Sequence, residues 1–149
     1  MTAVEHDKHQ RTQVKVIAYL ERVVKTGDLR AAPTRLHIDM KTSVKPDLFW
    51  VAPQSPRCRL MDDGWHGAPD LLIEIVSPVT EAIDRSEKYE LYQGKRVYEY
   101  WLVNPIAEFV EVYVLLNKRF VRHGVFLPGE TFNSGVLNGR KIDVAELFD

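Results

Sequence analysis

The segment from Asp70 to Val76 is the most apolar stretch of the chain, and a glutamate, Glu74, lies in its middle. Such a run predicts a buried β-strand. Because side chains alternate along a strand, Glu74 is expected to share a face with Leu72. A carboxylate is costly to bury there unless it is paired or binds a metal. Two interpretations therefore stay open: an ion pair with a lysine or arginine of a covering helix, or a metal ligand.

Length and composition indicate an ordinary globular protein. The 149 residues are 45% hydrophobic and 28% charged, which fits a single domain spanning residues 1–149. The one cysteine, Cys58, excludes an internal disulfide and favours a reducing, cytoplasmic location. No signal-peptide core is present, and no apolar run approaches the ~20 residues that cross a bilayer, so we expect no membrane partner. The net charge of -1 argues mildly against tight non-specific binding to nucleic acid, although a local basic face is compatible with it.

Hydrophobic periodicity and turn residues divide the chain into alternating elements. The predicted elements are a helix at about 9–25, strands at 36–40 and 48–51, a long loop at 52–69, a strand at 70–76, a helix from Ser77 to about Gln93, a strand at 97–103, a hairpin of 108–116 with 119–123, and a short helix within 142–148. In this interpretation Ser77 is the N-cap of the second long helix, which explains it without a catalytic role. The order predicts an α/β (α+β) fold with a mixed central sheet flanked by helices.

A second carboxylate, Asp47, opens the apolar strand 48–51 directly after a proline. Two carboxylates on neighbouring strands can hold Mg²⁺, which prefers hard oxygen ligands. The cation would polarise a phosphate and activate a bound water. Taken alone, Asp47 is better explained as a turn residue.

Three polar residues follow Glu74 at helical spacing. Asp84, Lys88 and Tyr92 are four apart and share one helix face. Lys88 could reach back to the carboxylates and stabilise charge that develops in a transition state. On spacing alone, an exposed Asp84–Lys88 pair worth only ~0.3–0.5 kcal/mol is the simpler interpretation.

Several ordered motifs resemble a known family. Residues 45–51 (Lys-Pro-Asp-Leu-Phe-Trp-Val), 68–80 and 97–105, together with Asp84, Lys88 and Tyr92, are similar to the bacterial family of putative restriction endonucleases, in the PD-(D/E)XK nuclease superfamily. The resemblance covers about residues 9–148.

The resemblance implies a restriction endonuclease-like fold and hydrolysis of phosphodiesters by a metal-activated water, with Mg²⁺ or Mn²⁺ as the cofactor. It implies that Asp47 and Glu74 bind the metal. Val76 occupies the usual position of the motif lysine, which points to Lys88 as the third catalytic residue. Further candidates are Asp70, as a ligand or a strand cap, and Asp84, Tyr92 and Ser77.

The resemblance also has limits. Longer relatives carry an N-terminal segment before the first helix, whereas this sequence begins at the helix, so we expect either a truncated start or a trimmed member that lacks one site acid. The net charge is also near neutral. The alternative is therefore a catalytically inactive nuclease-fold protein that binds nucleic acid or protein. The expected partner is nucleic acid, with DNA favoured over RNA. The aromatic residues of strand 97–103 are expected in the core, with a homodimer interface as the alternative. His66 is either a substrate contact or simply a loop histidine.

Overall fold

The computed structural model describes all residues, 1–149. Its elements in chain order are α1 (Ala3–Val23), β1 (Asp28–Ala31), β2 (Leu36–His37), β3 (Ser43–Val44), β4 (Leu48–Val51), β5 (Cys58–Met61), β6 (Gly64–Gly67), β7 (Leu71–Ile75), α2 (Glu81–Arg85), α3 (Glu87–Gly94), β8 (Glu99–Asn104), β9 (Phe109–Leu116), β10 (Arg119–Phe126), β11 (Thr131–Ser134), β12 (Arg140–Asp143) and a final 3₁₀ helix (Val144–Leu147). None of the helices is both long and apolar enough to span a membrane.

The central sheet is mixed, as predicted. Its six strands lie in the order β1-β4-β7-β8-β9-β10. Only β7 and β8 pair in parallel, and α2 and α3 form the crossover between them. A second sheet of four short strands has the order β3-β2-β6-β5, and β11 pairs with β12. The predicted α+β class with a central mixed sheet and flanking helices is confirmed.

Two apolar clusters cover the two faces of the central sheet. Ile73 and Ile75 of β7 belong to the cluster that contains α1 and the C-terminal elements. Leu72 and Val76 belong to the cluster that contains α3 and the four-stranded sheet. The alternation predicted for this strand is confirmed, and Glu74 is 2% exposed.

The first helix starts six residues earlier than predicted and ends at Val23. Its beginning carries no apolar periodicity, but Thr2 and Glu5 form a reciprocal capping box. Those two hydrogen bonds satisfy backbone donors that a helix start otherwise leaves free. Capping therefore extends the helix into a polar segment.

The prediction of a long loop over residues 52–69 is wrong. Residues 58–67 form the antiparallel hairpin of β5 and β6. Three of the four β5 residues are exposed, so no apolar alternation marks the strand. The predicted strand over 36–40 is also too long, because Asp39 accepts the N–H groups of Lys41 and Thr42 and turns the chain after β2.

The helix predicted from Ser77 to Gln93 is split and starts later. Ser77 is not the N-cap of α2, because α2 begins at Glu81. Its hydroxyl accepts the N–H of Thr80, a cap-like hydrogen bond, but in the turn that precedes the helix. Ser86 leaves helical geometry at φ -118 and ψ -80 and separates α2 from α3. The predicted hairpin around residues 117–118 is confirmed, with positive φ at both Asn117 and Lys118.

Candidate active site

Asp47 and Glu74 are held together by the pairing of β4 with β7. These strands are antiparallel neighbours, and Asp47 directly precedes β4. The Asp47 N–H donates to Glu74 Oε1 at 3.0 Å, and the Ile75 N–H donates to Asp47 Oδ2 at 2.7 Å. Each carboxylate is thus oriented by a backbone donor of the neighbouring strand. The Asp47 side chain is 19% exposed, so it is the part of the pair that solvent reaches.

The crossover helices bring the polar residues predicted on one helix face to Glu74. Lys88 Nζ lies 3.1 Å from Glu74 Oε2 and 2.9 Å from Asp84 Oδ1. The Tyr92 hydroxyl donates to Glu74 Oε2 at 3.0 Å. The Asp84 side chain is buried, and Lys88 is about one-third exposed. The exposed surface pair considered for Asp84 and Lys88 is therefore not what forms, because the acid lies inside the protein.

Burial and charge act against each other at this cluster. Burial raises the pKa of Glu74 to about 7, Lys88 partly opposes that shift, and the Asp47 carboxylate adds to it. Burial tends to lower the pKa of Lys88, but Glu74 and Asp84 beside it raise that pKa overall. The ammonium therefore stays charged at neutral pH.

The donor set suits a hard divalent cation. Lys88 contacts the carboxylates of Glu74 and Asp84, and Asp47 lies beside Glu74, so negative charge is in excess when all three acids are ionised. Carboxylate oxygens are the ligands that Mg²⁺ prefers. Asp47 and Glu74 are the residues that would hold the cation, since their oxygens lie on adjacent strands.

His9 also contacts the site, although no sequence pattern predicts it. Its Nε2 lies 3.7 Å from Asp47 Oδ2, and α1 places it there. The nearby Asp47 carboxylate raises the pKa of His9 despite the opposing effect of burial. The two residues are far apart in the chain and share no spacing pattern. Only the packing of α1 against the end of β4 relates them.

Two of the further candidates lie outside this cluster of contacts. Asp70 Oδ2 accepts the N–H of Ala52 at 2.8 Å, which caps the end of β4. The Ser77 hydroxyl bonds Thr80 in a local turn. The strand that Asp70 caps is β4, not the strand 70–76 for which a cap was considered.

Comparison with known proteins places the fold. The chain is similar to the crystal structure described as a putative nuclease belonging to DUF820 from Anabaena variabilis, with a TM-score of 0.71 and 21% sequence identity. The match covers 95% of this chain and 80% of the other. No curated protein matches the chain. The model of the Uma2 family, described as "Putative restriction endonuclease", matches residues 1–145, and the chain belongs to this family.

Proposed function

We propose that this protein hydrolyses phosphodiester bonds of nucleic acid, with DNA as the favoured substrate, at a PD-(D/E)XK-type site that uses Mg²⁺ or Mn²⁺. The observation that carries the proposal is the interlocked pair of Asp47 and Glu74 with the Lys88 ammonium 3.1 Å from Glu74 Oε2. Membership of a restriction endonuclease family and the nuclease-like fold support it.

Asp47 and Glu74 would act as the metal ligands. A bound divalent cation would polarise the scissile phosphate and make a nearby water more acidic. The backbone donors of Ile75 and Asp47 keep the two carboxylates in place before anything binds. Such fixed orientation matters because ligands that are already arranged need no reorganisation during the reaction.

Lys88 would stabilise the charge that develops on the phosphate. In the hydrolysis, the oxygen of a water forms a bond to phosphorus while the bond to one ester oxygen breaks. The water loses a proton, and the leaving oxygen takes one up. The phosphate oxygens gain negative charge on the way, and an ammonium in a site that is mostly closed to water stabilises that charge. Asp84 fixes the Lys88 side chain from its other side at 2.9 Å.

His9 would act as a positioning residue. Its Nε2 lies 3.7 Å from Asp47 Oδ2, and its raised pKa agrees with a pairing with that carboxylate, so we assign it the orientation of Asp47.

One observation favours a second candidate, a catalytically inactive nuclease-fold protein that binds nucleic acid or protein. Both oxygens of Glu74 already have internal partners, namely the Asp47 N–H, the Tyr92 hydroxyl and Lys88. A carboxylate satisfied in this way can serve the fold alone. The two candidates differ in whether the metal produces cleavage.

The deciding experiment is a cleavage assay on plasmid DNA, single-stranded DNA and RNA with Mg²⁺ or Mn²⁺. We expect cleavage that requires the metal and falls by at least ~100-fold in Asp47→Asn and in Glu74→Gln. Lys88→Met should lower the rate by at least ~10-fold. The matched controls are Glu90→Gln and Lys25→Met, which alter exposed residues outside the site.

Two outcomes would count against catalysis at this site. Cleavage that persists in both carboxylate variants would indicate a different site or a contaminating enzyme. Binding of nucleic acid without any cleavage, in a gel-shift experiment with the folded wild-type protein, would support the second candidate instead.

A further inference from the structure

Two histidines and an aspartate form a compact group on the four-stranded sheet, away from the strands that carry Asp47 and Glu74. His37 of β2 and His66 of β6 are direct partners in the parallel pairing of these strands. Residues paired in this way project from the same face of a sheet. Asp63 lies in the turn between β5 and β6. One ring nitrogen of each histidine and one carboxylate oxygen of Asp63 lie within 4.8 Å of one another.

Internal contacts explain only part of this arrangement. Asp63 Oδ1 lies 2.7 Å from His66 Nε2, which accounts for those two residues as an ordinary surface pair. The ring of His37 stacks on that of His66 at 4.6 Å between centroids and at 21°. Neither ring nitrogen of His37 has a hydrogen-bond or ion-pair partner in the protein. Two imidazoles and a carboxylate this close together form a set of ligands that could hold a metal ion.

We propose that His37, Asp63 and His66 bind one divalent transition-metal ion of the Zn²⁺ class. Imidazole suits Zn²⁺, Ni²⁺ and Co²⁺, whereas Mg²⁺ prefers oxygen ligands only, so this site and the carboxylate site differ in the metal that they select. Two imidazoles and one carboxylate leave at least one coordination position for water.

Binding requires a small rearrangement that the exposed side chains allow. Ligand nitrogens lie about 2.0–2.1 Å from Zn²⁺, and their lone pairs must converge on the ion. Rings that stack at 21° point their lone pairs in similar directions, so His37 and His66 must splay apart. The Asp63 side chain is 72% exposed and that of His66 is 34% exposed, so both have room to turn. We therefore expect moderate affinity.

The charge around the site is mixed. Asp39 and Asp63 line the same depression as the two histidines. Asp39, however, is already paired with Lys95 at 2.6 Å. Arg59 of β5, the strand on the opposite edge of β6 from β2, pairs with His66 and is exposed. The ion would join β2 to the β5–β6 hairpin, which only short strands otherwise hold together.

The test measures binding of Zn²⁺ itself, without an activity readout. Zn²⁺ is titrated calorimetrically into the zinc-free Glu74→Gln protein in a buffer with excess Mg²⁺. The substitution and the Mg²⁺ together remove the contribution of the carboxylate site. We expect one equivalent of Zn²⁺ to bind. His37→Ala and Asp63→Asn should each weaken the binding by at least tenfold. The matched control, His123→Ala, replaces an exposed histidine on β10 and should bind like its parent.

A second readout identifies the ligands directly. In NMR spectra of the imidazole groups, Zn²⁺ should shift the signals of His37 and His66 and leave that of His123 in place. The proposal is overturned if Zn²⁺ does not bind stoichiometrically at micromolar concentration. It is equally overturned if the affinity of His37→Ala and Asp63→Asn proteins, shown to be folded by circular dichroism, equals that of the parent.

Discussion

Glu74 is the residue at which burial and charge conflict most. Its side chain is 2% exposed, and its partners are one backbone N–H, one hydroxyl and one ammonium. These contacts do not fully offset the loss of water, so burial raises its pKa to about 7. In the unfolded chain the same group titrates near its ordinary value.

This difference predicts that the metal-free protein loses stability as the pH rises. Because the pKa of Glu74 is higher in the folded state, the folded protein binds the proton more tightly. The resulting stabilisation is complete below the ordinary pKa and is lost as the pH rises through about 7. His9, whose pKa is also raised, acts in the same direction. Urea unfolding from about pH 5.5 to about pH 8 should show a loss of about 2 kcal/mol from Glu74 alone.

The Glu74→Gln variant removes the main titration and should flatten this pH dependence. Glu90→Gln, which alters an exposed acid of α3, should keep the wild-type slope. A metal-free wild-type protein that becomes more stable over the same range would contradict the assignment. Added Mg²⁺ should stabilise the protein most at the alkaline end, because it binds the ionised carboxylate.

At the residue scale, the sequence predicted the features that depend on hydrophobic pattern within a single strand. The burial of Glu74 follows from the apolar strand around it, whereas its position next to Asp47 was predicted from strand placement together with the family resemblance. The contact of Lys88 with Glu74 required the family resemblance, because the helix spacing allowed an exposed pair equally well. His9 was not predictable, since its contact depends on how α1 packs against the sheet.

At the scale of elements, the β5–β6 hairpin depends on glycine more than on apolar residues. Gly67 has φ +111, and a Cβ at this position would lie 1.8 Å from the carbonyl oxygen of Arg57. That oxygen accepts the N–H of Ala68, so it cannot move freely. An element of this kind is hard to predict, because neither its exposed strands nor a lone glycine produces a recognisable pattern.

Gly67→Ala is therefore expected to lower the free energy of unfolding by at least ~2 kcal/mol, through a steric clash and an unfavourable φ. The control is Gly94→Ala at the end of α3, where nothing lies within 4 Å of the added Cβ and φ is not positive. That variant should be neutral or more stable by up to ~1 kcal/mol. Chemical denaturation of the two variants measures the difference, and equal stabilities would show that the hairpin tolerates the clash.

The break between α2 and α3 is not predictable from the sequence for a different reason. Apolar and polar spacing over residues 77–93 fits one continuous helix, and Ser86 is an acceptable helical residue. In the structure the Ser86 hydroxyl donates to the carbonyl of Ala82 at 2.6 Å, and the chain bends there. Side-chain hydrogen bonds of serine to the preceding turn compete with helical geometry, but sequence alone does not predict at which serine they break the helix.

At the scale of the whole molecule, the central sheet contributes residues to both apolar clusters, one on each face. Trp50 and Trp101 lie in the cluster beneath α1, and Trp65 lies in the cluster beneath α3. Phe49 and Trp50 are neighbours on β4 yet belong to different clusters. Loss of the sheet would expose both clusters at once.

We therefore expect the protein to unfold in a single cooperative transition. Far-ultraviolet circular dichroism and tryptophan fluorescence should give the same denaturation midpoint. The Trp65→Phe variant reports on the α1 cluster alone and should show the same agreement between the two signals. Separate midpoints would mean that the two clusters unfold independently and that the sheet does not couple them.

The contact between the first helix and the end of the chain has a consequence for the timing of biosynthesis. The Tyr19 hydroxyl accepts the N–H of Asp143, 124 positions later, and α1 packs against the final 3₁₀ helix. At about 5–20 residues per second, a ribosome needs roughly 6–25 s to make the intervening chain. During that interval the apolar side of α1 lacks part of its packing surface, so the nascent chain is a natural client for a chaperone.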